Sequence, residues 1–372
     1  MIDNRVGILT WKLRNYGTSL QAYALVSKIR DLGYSSYLLN YSLNKNKRIN
    51  PLTFRDLVGK CIKRFIGVIQ SIKRTDSGIT SDIQIHKFKD FYSQIPNDKT
   101  SLQDSNYLNH TYSKIIVGSD QVWNPKFIDD TYFLSFLDDT KKYSYAPSLG
   151  VNLLTKYERE YYWGKLKSFQ CISVREETGK LLLEECGINN VSVVLDPTLL
   201  YDAESWKNNL RIKEDPCSDY ILIYTLSPQK WYKRLIHRYC YGKKLVIINT
   251  CGSKKIFKEQ QNIEFIKDVG PIDFVKLIMN ASFVITDSFH GMCFSLLFNK
   301  QFVVLSKFSK KSKINENSRC LDLLKKLNLE NLFKSEKDNI SQYCTINYDT
   351  VNNILNQQRA YSLEYLKNIL DR

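Results

Sequence analysis

The stretch Ala281 to Leu305, ASFVITDSFHGMCFSLLFNKQFVVL, constrains the fold more than any other part of the chain. Ser282 to Thr286 is a short, β-branched apolar run, the pattern of a strand buried on both faces of a parallel sheet. Asp287-Ser288 ends it with residues that favour turns and helix N-caps. Met292 to Phe298 then reads as a helix, and Gln301 to Leu305 as a further strand. Ser288, His290 and Gly291 therefore stand where a strand hands over to a helix. In open α/β sheets ligands sit outside the carboxyl ends of strands. A helix start there offers free N–H groups and a positive dipole end to an anion. His290 can donate to a phosphate or move a proton near neutral pH, and Gly291 would let a ligand approach the backbone. The plain alternative is a hydrogen-bonded core histidine and a glycine kept for steric reasons.

The same alternation runs through the chain. Val6–Thr10 reads as a strand, and Trp11–Gly17 as a polar loop. Thr18-Ser19 can cap a helix running to Leu32, closed by Gly33, and Tyr34–Tyr41 is the next strand. Further strands are expected at 114–118, 142–146, 171–174 and 191–195. The first of these ends in Gly118-Ser119-Asp120, and the third is followed by Arg175-Glu176. Beyond Leu200 the pattern restarts, with strands at 220–226 and 245–249 and helices at 231–241 and 274–280. Two such runs predict an α/β protein with two doubly wound Rossmann-like domains facing a cleft. The expected division is 1–198, 199–345, and a C-terminal helix in 346–372 packing back toward the first domain. The 372 residues suit two domains, each large enough for its own core.

Several function classes lose ground on composition. No GxGxxG or P-loop motif occurs, which argues against the usual nucleotide cradles. Nine scattered cysteines without a CxxC pair read as reduced packing residues, and no metal-ligand set is visible. No apolar run approaches the roughly 18–20 residues of a membrane span. The opening MIDNRVGILTWKL lacks a long apolar core, so a cytoplasmic protein is expected. Fifty-four Lys and Arg against 38 Asp and Glu give a net charge of +16, which attracts anionic partners. Phe54 to Ile72 carries apolar residues at helical spacing, with Lys60, Lys63, Arg64, Lys73 and Arg74 around them. It reads either as a peripheral helix on the anionic inner membrane face or as a core helix with a solvated side.

Five blocks together resemble the polysaccharide pyruvyl transferase family: NYGTSLQAYAL (15–25), IVGSDQVWNP (116–125), ISVREETGKLL (172–182), VVLDPTLL (193–200) and ITDSFHGMCFSLLFNKQFVVL (285–305). The resemblance implies a fold like that of GT-B glycosyltransferases, with the acceptor on the first domain and the donor site on the second. It implies phosphoenolpyruvate as donor substrate, no separate cofactor, and a sugar acceptor of a surface or capsular polysaccharide precursor, including lipid-linked forms. The product would be a cyclic pyruvate ketal. By the same resemblance His290 matches the family's histidine and Arg175 the arginine that holds the donor, with Ser288 and Gly291 beside them. A guanidinium suits the donor's carboxylate and phosphate because it binds either bidentately. Asp120 is the candidate to bind or deprotonate an acceptor hydroxyl, or else a turn residue capping Val122-Trp123. Asn15, Tyr16 and Gly17 are expected to line the cleft; Arg319, after Asn317-Ser318, either adds positive charge there or, the preferred reading, is a surface arginine. Two rivals stand beside this reading. One is a GT-B-like glycosyltransferase using a sugar nucleotide, and the other a non-catalytic basic binding module. No nucleic-acid motif supports the second.

Overall fold

The computed structural model describes residues 4–41, 81–308 and 317–372, apart from 101, 103, 216, 240–241, 259, 261 and 339–344. The basic amphipathic segment Phe54–Ile72 lies outside the described residues. No helix among them is long and apolar enough to cross a membrane.

The first sheet holds β1 (Arg5–Leu9), β2 (Ser35–Leu39), β3 (Asn97–Asp98), β4 (Lys114–Val117) and β5 (Lys142–Ser144), in the order β3-β2-β1-β4-β5. β6 (Ile172–Val174) pairs with β7 (Val191–Val193), and a bridge between Tyr143 and Cys171 joins this pair to β5. The second sheet holds β8 (Ile221–Tyr224), β9 (Leu245–Ile248), β10 (Ile263–Ile266), β11 (Phe283–Thr286), β12 (Gln301–Leu305) and β13 (Phe333–Lys334). Its order is β10-β9-β8-β11-β12-β13. Every strand pair is parallel. The protein is thus α/β with parallel, doubly wound sheets. Strand order reverses between β1 and β4 in one sheet and between β8 and β11 in the other. Those are the switch points where the loops after neighbouring strands part and leave a crevice.

Alternation along the strands decides where each side chain goes. Val6 and Ile8 of β1 enter the same apolar cluster as Leu222 and Tyr224 of β8, Val284 of β11 and Phe302 and Val304 of β12. The intervening residues point away: Leu9, Ile115 and Val117 into a cluster behind the first sheet, Ile223, Ile285 and Val303 into one behind the second. The expected pair of independent cores is therefore replaced by one apolar layer common to both sheets, with a separate cluster on each outer face. The helix Tyr16–Asp31, which follows β1, packs against Pro271–Met279 and Phe289–Leu297 of the second lobe.

Two helix starts differ from expectation. The helix after β1 is capped by Asn15, whose side chain accepts from the Thr18 N–H at 3.2 Å. Thr18 turns its hydroxyl instead to Asp120. The helix after β11 begins at Phe289 and not Met292, because the Ser288 hydroxyl accepts from the Gly291 N–H at 3.3 Å. At the far end of the first helix, Gly33 supplies the left-handed residue (φ 93°) that closes it. The terminal helix Tyr348–Asp371 lies against the first sheet: Ser362 accepts from the Leu195 N–H, and Arg359 donates to the Leu199 carbonyl.

Tyr16 is the aromatic centre of the shared layer. Its ring stacks on Phe274 at 4.8 Å and on Phe88 at 5.6 Å, while its hydroxyl accepts from Gln84. Tyr16→Ala is expected to cost about 3–5 kcal/mol and Tyr16→Phe about 1 kcal/mol. Urea titration followed by circular dichroism checks this. Equal midpoints for the two variants would show that the ring contributes nothing to holding the lobes.

Candidate active site

The carboxyl ends of β4, β6 and β7 bring four charged residues of the first lobe together, Asp120, Arg175, Glu176 and Asp196. Arg175 follows β6 directly, and its side chain is fully buried. Its Nη1 donates to Asp196 Oδ2 at 2.8 Å, Nη2 lies 3.5 Å from Asp120 Oδ1, and Nε lies 3.7 Å from Glu176 Oε2. Its guanidinium also sits over the Phe289 ring at 4.5 Å. Burial works against the guanidinium charge, but Asp196, Asp120 and Glu176 outweigh it and raise the pKa of Arg175. Burial likewise pushes Asp196 up, but His290 and Arg175 more than reverse this and hold its carboxyl well below the usual range. Glu176 goes the other way: burial raises it further than Arg175 can lower it. Glu176 Oε1 accepts from the Ser148 hydroxyl and the Leu149 N–H, so it also fixes the loop after β5.

Asp120 sits at the switch point with a left-handed backbone (φ 67°), which aspartate adopts more readily than most residues. One carboxylate oxygen accepts from Thr18 Oγ1 at 2.6 Å and the other from the Gln121 N–H at 2.9 Å. The loops after β1 and β4 are thus tied across the crevice.

The second lobe supplies His290 from the first turn of its helix. The ring is buried, and Nε2 lies 3.5 Å from Asp196 Oδ2. Its other edge meets the first helix: a Cβ built on Gly17 would stand 2.0 Å from His290 Nδ1. Only glycine lets the backbone approach the ring this closely.

Asp120, Arg175 and His290, picked out separately in the sequence, are therefore neighbours, with Gly17 against the histidine. Other expected site residues are used differently. Tyr16 is buried in the aromatic layer instead of lining a cleft, and Asn15 is spent as a helix cap. Gly291 faces no open space, because a Cβ there would stand 2.5 Å from Thr286 Oγ1, so its small size serves packing of helix on strand. The Ser288 hydroxyl already takes the Gly291 N–H. Arg319, expected at the surface, is buried; with its oxygen turned toward the guanidinium, the Gln121 carboxamide lies 3.1 Å from Nη1. Asp196, Glu176 and Thr18 were not singled out, although all three lie inside the family-like blocks. Among the described residues no grouping of His, Cys, Asp and Glu is arranged to hold a metal ion. A surface groove of about 340 Å³, lined by Lys87, Tyr220, Asp268, Asp273 and Lys276, shares no residue with this cluster.

Solved structures that resemble the chain are distant. UDP-GlcNAc 2-epimerase from Methanocaldococcus jannaschii is 12% identical, with 95% of this chain and 92% of that chain covered and a TM-score of 0.47. The Neisseria meningitidis UDP-GlcNAc 2-epimerase bound to UDP-GlcNAc is 11% identical, with 98% and 94% covered and a TM-score of 0.46. The E. coli heptosyltransferase WaaC with ADP is 8% identical, with 95% and 99% covered and a TM-score of 0.39. Comparison with curated proteins returned no match. The model of the family described as polysaccharide pyruvyl transferase matches residues 15–306, a span that contains Asp120, Arg175, Glu176, Asp196 and His290 but not Arg319. With well over half of its length matched, the chain belongs to the polysaccharide pyruvyl transferase family.

Proposed function

We propose that the protein transfers the pyruvyl group of phosphoenolpyruvate to two hydroxyls of one sugar residue in a polysaccharide precursor, releasing phosphate and closing a cyclic ketal. The observation that carries this reading is the meeting of Arg175, Asp120 and His290 where the two switch points face each other, in a chain of this family. Each residue type suits a step. A proton delivered to the donor's methylene carbon makes it a methyl group and leaves a cationic centre at C2. The first acceptor hydroxyl adds there and loses its proton. The second hydroxyl then attacks C2, the bond from C2 to the phosphate oxygen breaks, and the remaining proton leaves with phosphate or the base. His290 is the proton donor in this scheme and Asp120 the base for a hydroxyl.

Arg175 requires a revised role. Its fork already faces carboxylates, so donor binding means exchanging one of them for the donor's own anionic group. Asp120 is the partner to yield, because its contact with Arg175 at 3.5 Å is longer than that of Asp196 at 2.8 Å. Displacing Asp120 from the guanidinium would also leave it open to an acceptor hydroxyl. Donor binding and base activation are then one event.

Incubation with phosphoenolpyruvate and a panel of free and lipid-linked glycans should yield a product heavier by one pyruvate minus water, together with inorganic phosphate. Product from a sugar nucleotide, with none from phosphoenolpyruvate, would establish glycosyl transfer instead. His290→Ala is expected to lower turnover by on the order of 10²–10⁴-fold while the chain still folds; a variant that keeps most of its activity removes His290 from the chemistry. Arg175→Ala should destabilise the fold by about 3–5 kcal/mol, since it strands buried carboxylates. Arg175→Lys keeps the charge but loses the fork, and donor affinity should drop. Unchanged affinity in the lysine variant, measured by titration calorimetry, makes Arg175 structural only. Gly17→Ala forces either the His290 ring or the first helix to move, at a cost of about 1–3 kcal/mol. Its turnover should fall with that of His290→Ala, and wild-type turnover would mean the ring position is immaterial.

A further inference from the structure

Arg175 and His290 come from different lobes. The guanidinium meets the second lobe at the Phe289 ring, next to His290 in sequence, and the two side chains face one and the same oxygen atom. Asp196 Oδ2 accepts from Arg175 Nη1 at 2.8 Å and faces His290 Nε2 at 3.5 Å. We infer that Asp196 is the positioning residue that sets His290 and Arg175 in one arrangement across the two lobes. The inference rests on the reaction proposed above for what those two residues do.

Asp196 is built to hold still. Pro197, one residue on, opens a short 3-10 turn, and Asp196 caps that turn with its own side chain. Oδ1 accepts from the Thr198 N–H at 3.0 Å and from Thr198 Oγ1 at 2.8 Å. Oδ2 accepts in addition from the Ser119 hydroxyl at 3.1 Å, which brings in the loop after β4. With both oxygens engaged from different directions and the residue 1% exposed, the carboxylate has no freedom to rotate. Asp120 and Glu176 each pair with Arg175, but among the described residues Asp196 is the carboxylate that pairs with both Arg175 and His290.

For His290 the consequence is a defined ring. A carboxylate facing one imidazole nitrogen selects the tautomer that places a proton there. Gly17 blocks the opposite edge from moving away, since its Cα leaves no room even for a methyl group beside Nδ1. Among the described residues Nε2 has no hydrogen-bond partner within ordinary geometry, and its distance to Asp196 is long for such a bond. Contacts of this kind in ligand-free enzymes commonly shorten when substrate closes the site. Asp196 touches no open space and serves the chemistry only through its two neighbours.

The test is spectroscopic and needs no substrate. The chain has four histidines, so its imidazole ¹⁵N–¹H correlations can be assigned one by one. In ligand-free Asp196→Asn, which keeps the shape and removes the charge, the His290 ring resonances should shift while those of His86, His110 and His237 stay in place. Turnover of that variant should fall by about 10–100-fold, the range seen when a carboxylate orienting a metal-bound histidine is removed. Thr198→Val removes only one bond to Oδ1 and should move the His290 resonances in the same direction by less. Superimposable His290 resonances in Asp196→Asn overturn the inference. If Asp196→Asn fails to fold, Thr198→Val decides: an unmoved His290 there overturns it, and a selective shift supports it. A wild-type chain that never consumes phosphoenolpyruvate would remove the proposed reaction, while the imidazole spectra would still decide whether Asp196 orients His290.

Discussion

One guanidinium sealed among three carboxylates is the interaction on which the site depends. Taking Arg175, Asp120, Glu176 and Asp196 out of water costs several kcal/mol per ion, and their attraction recovers that cost only where geometry is good and spare lone pairs are filled. Here much of that demand is met. Asp196 is hydrogen-bonded on both oxygens, Asp120 on both, and Glu176 accepts from Ser148 and Leu149. Apolar residues of like volume would often do as well for stability. The cluster is better understood through the loops it ties together, since its members close the ends of β4, β6 and β7 and reach the second lobe through His290.

That reach works because the two lobes share an apolar layer beneath it. Tyr16 and Gly17 are adjacent in sequence and divide the task. The tyrosine ring locks the first helix against Phe274 and Phe88, and the glycine next to it lays bare backbone on His290. The helix Asp82–Ser93 adds polar contacts on the same side: Gln84 donates to the Val269 carbonyl, and Lys87 pairs with Asp273 at 2.7 Å. Exposed pairs like the last contribute little energy. The stacked rings therefore dominate the alignment of the lobes, and the polar site inherits its geometry from them.

The strands were legible in the sequence because each is a short apolar run closed by turn residues; β4, β8, β9, β11 and β12 fall inside the expected ranges, and β1 begins one residue before its own. The alternation of strand and helix was enough for a doubly wound architecture. What stayed hidden depends on partners far away in the chain. Arg319 looks like any arginine near a helix start, and only folding places it beside Gln121 and buries it. Asp196 reads as the end of a strand before proline; its contacts to Ser119, Arg175 and His290 span up to 94 residues, the separation of 196 and 290. β3 is only the two polar residues Asn97–Asp98, too short to show a period. Helix starts were misjudged by two or three residues where a side chain that favours capping had a second use, as Thr18 does with Asp120.

The chain as a whole is strongly basic, whereas the guanidinium at its site is crowded by carboxylates. At +16 the protein attracts anions over distances of about a Debye length, roughly 8–10 Å in physiological salt. Around Arg175 stand Asp120, Glu176 and Asp196, so its guanidinium is already faced by carboxylates. In the reaction proposed above, the anionic donor would take the place of a carboxylate already on the guanidinium. Such an exchange discriminates more sharply than attraction, because a ligand must match the geometry of the group it displaces as well as its charge.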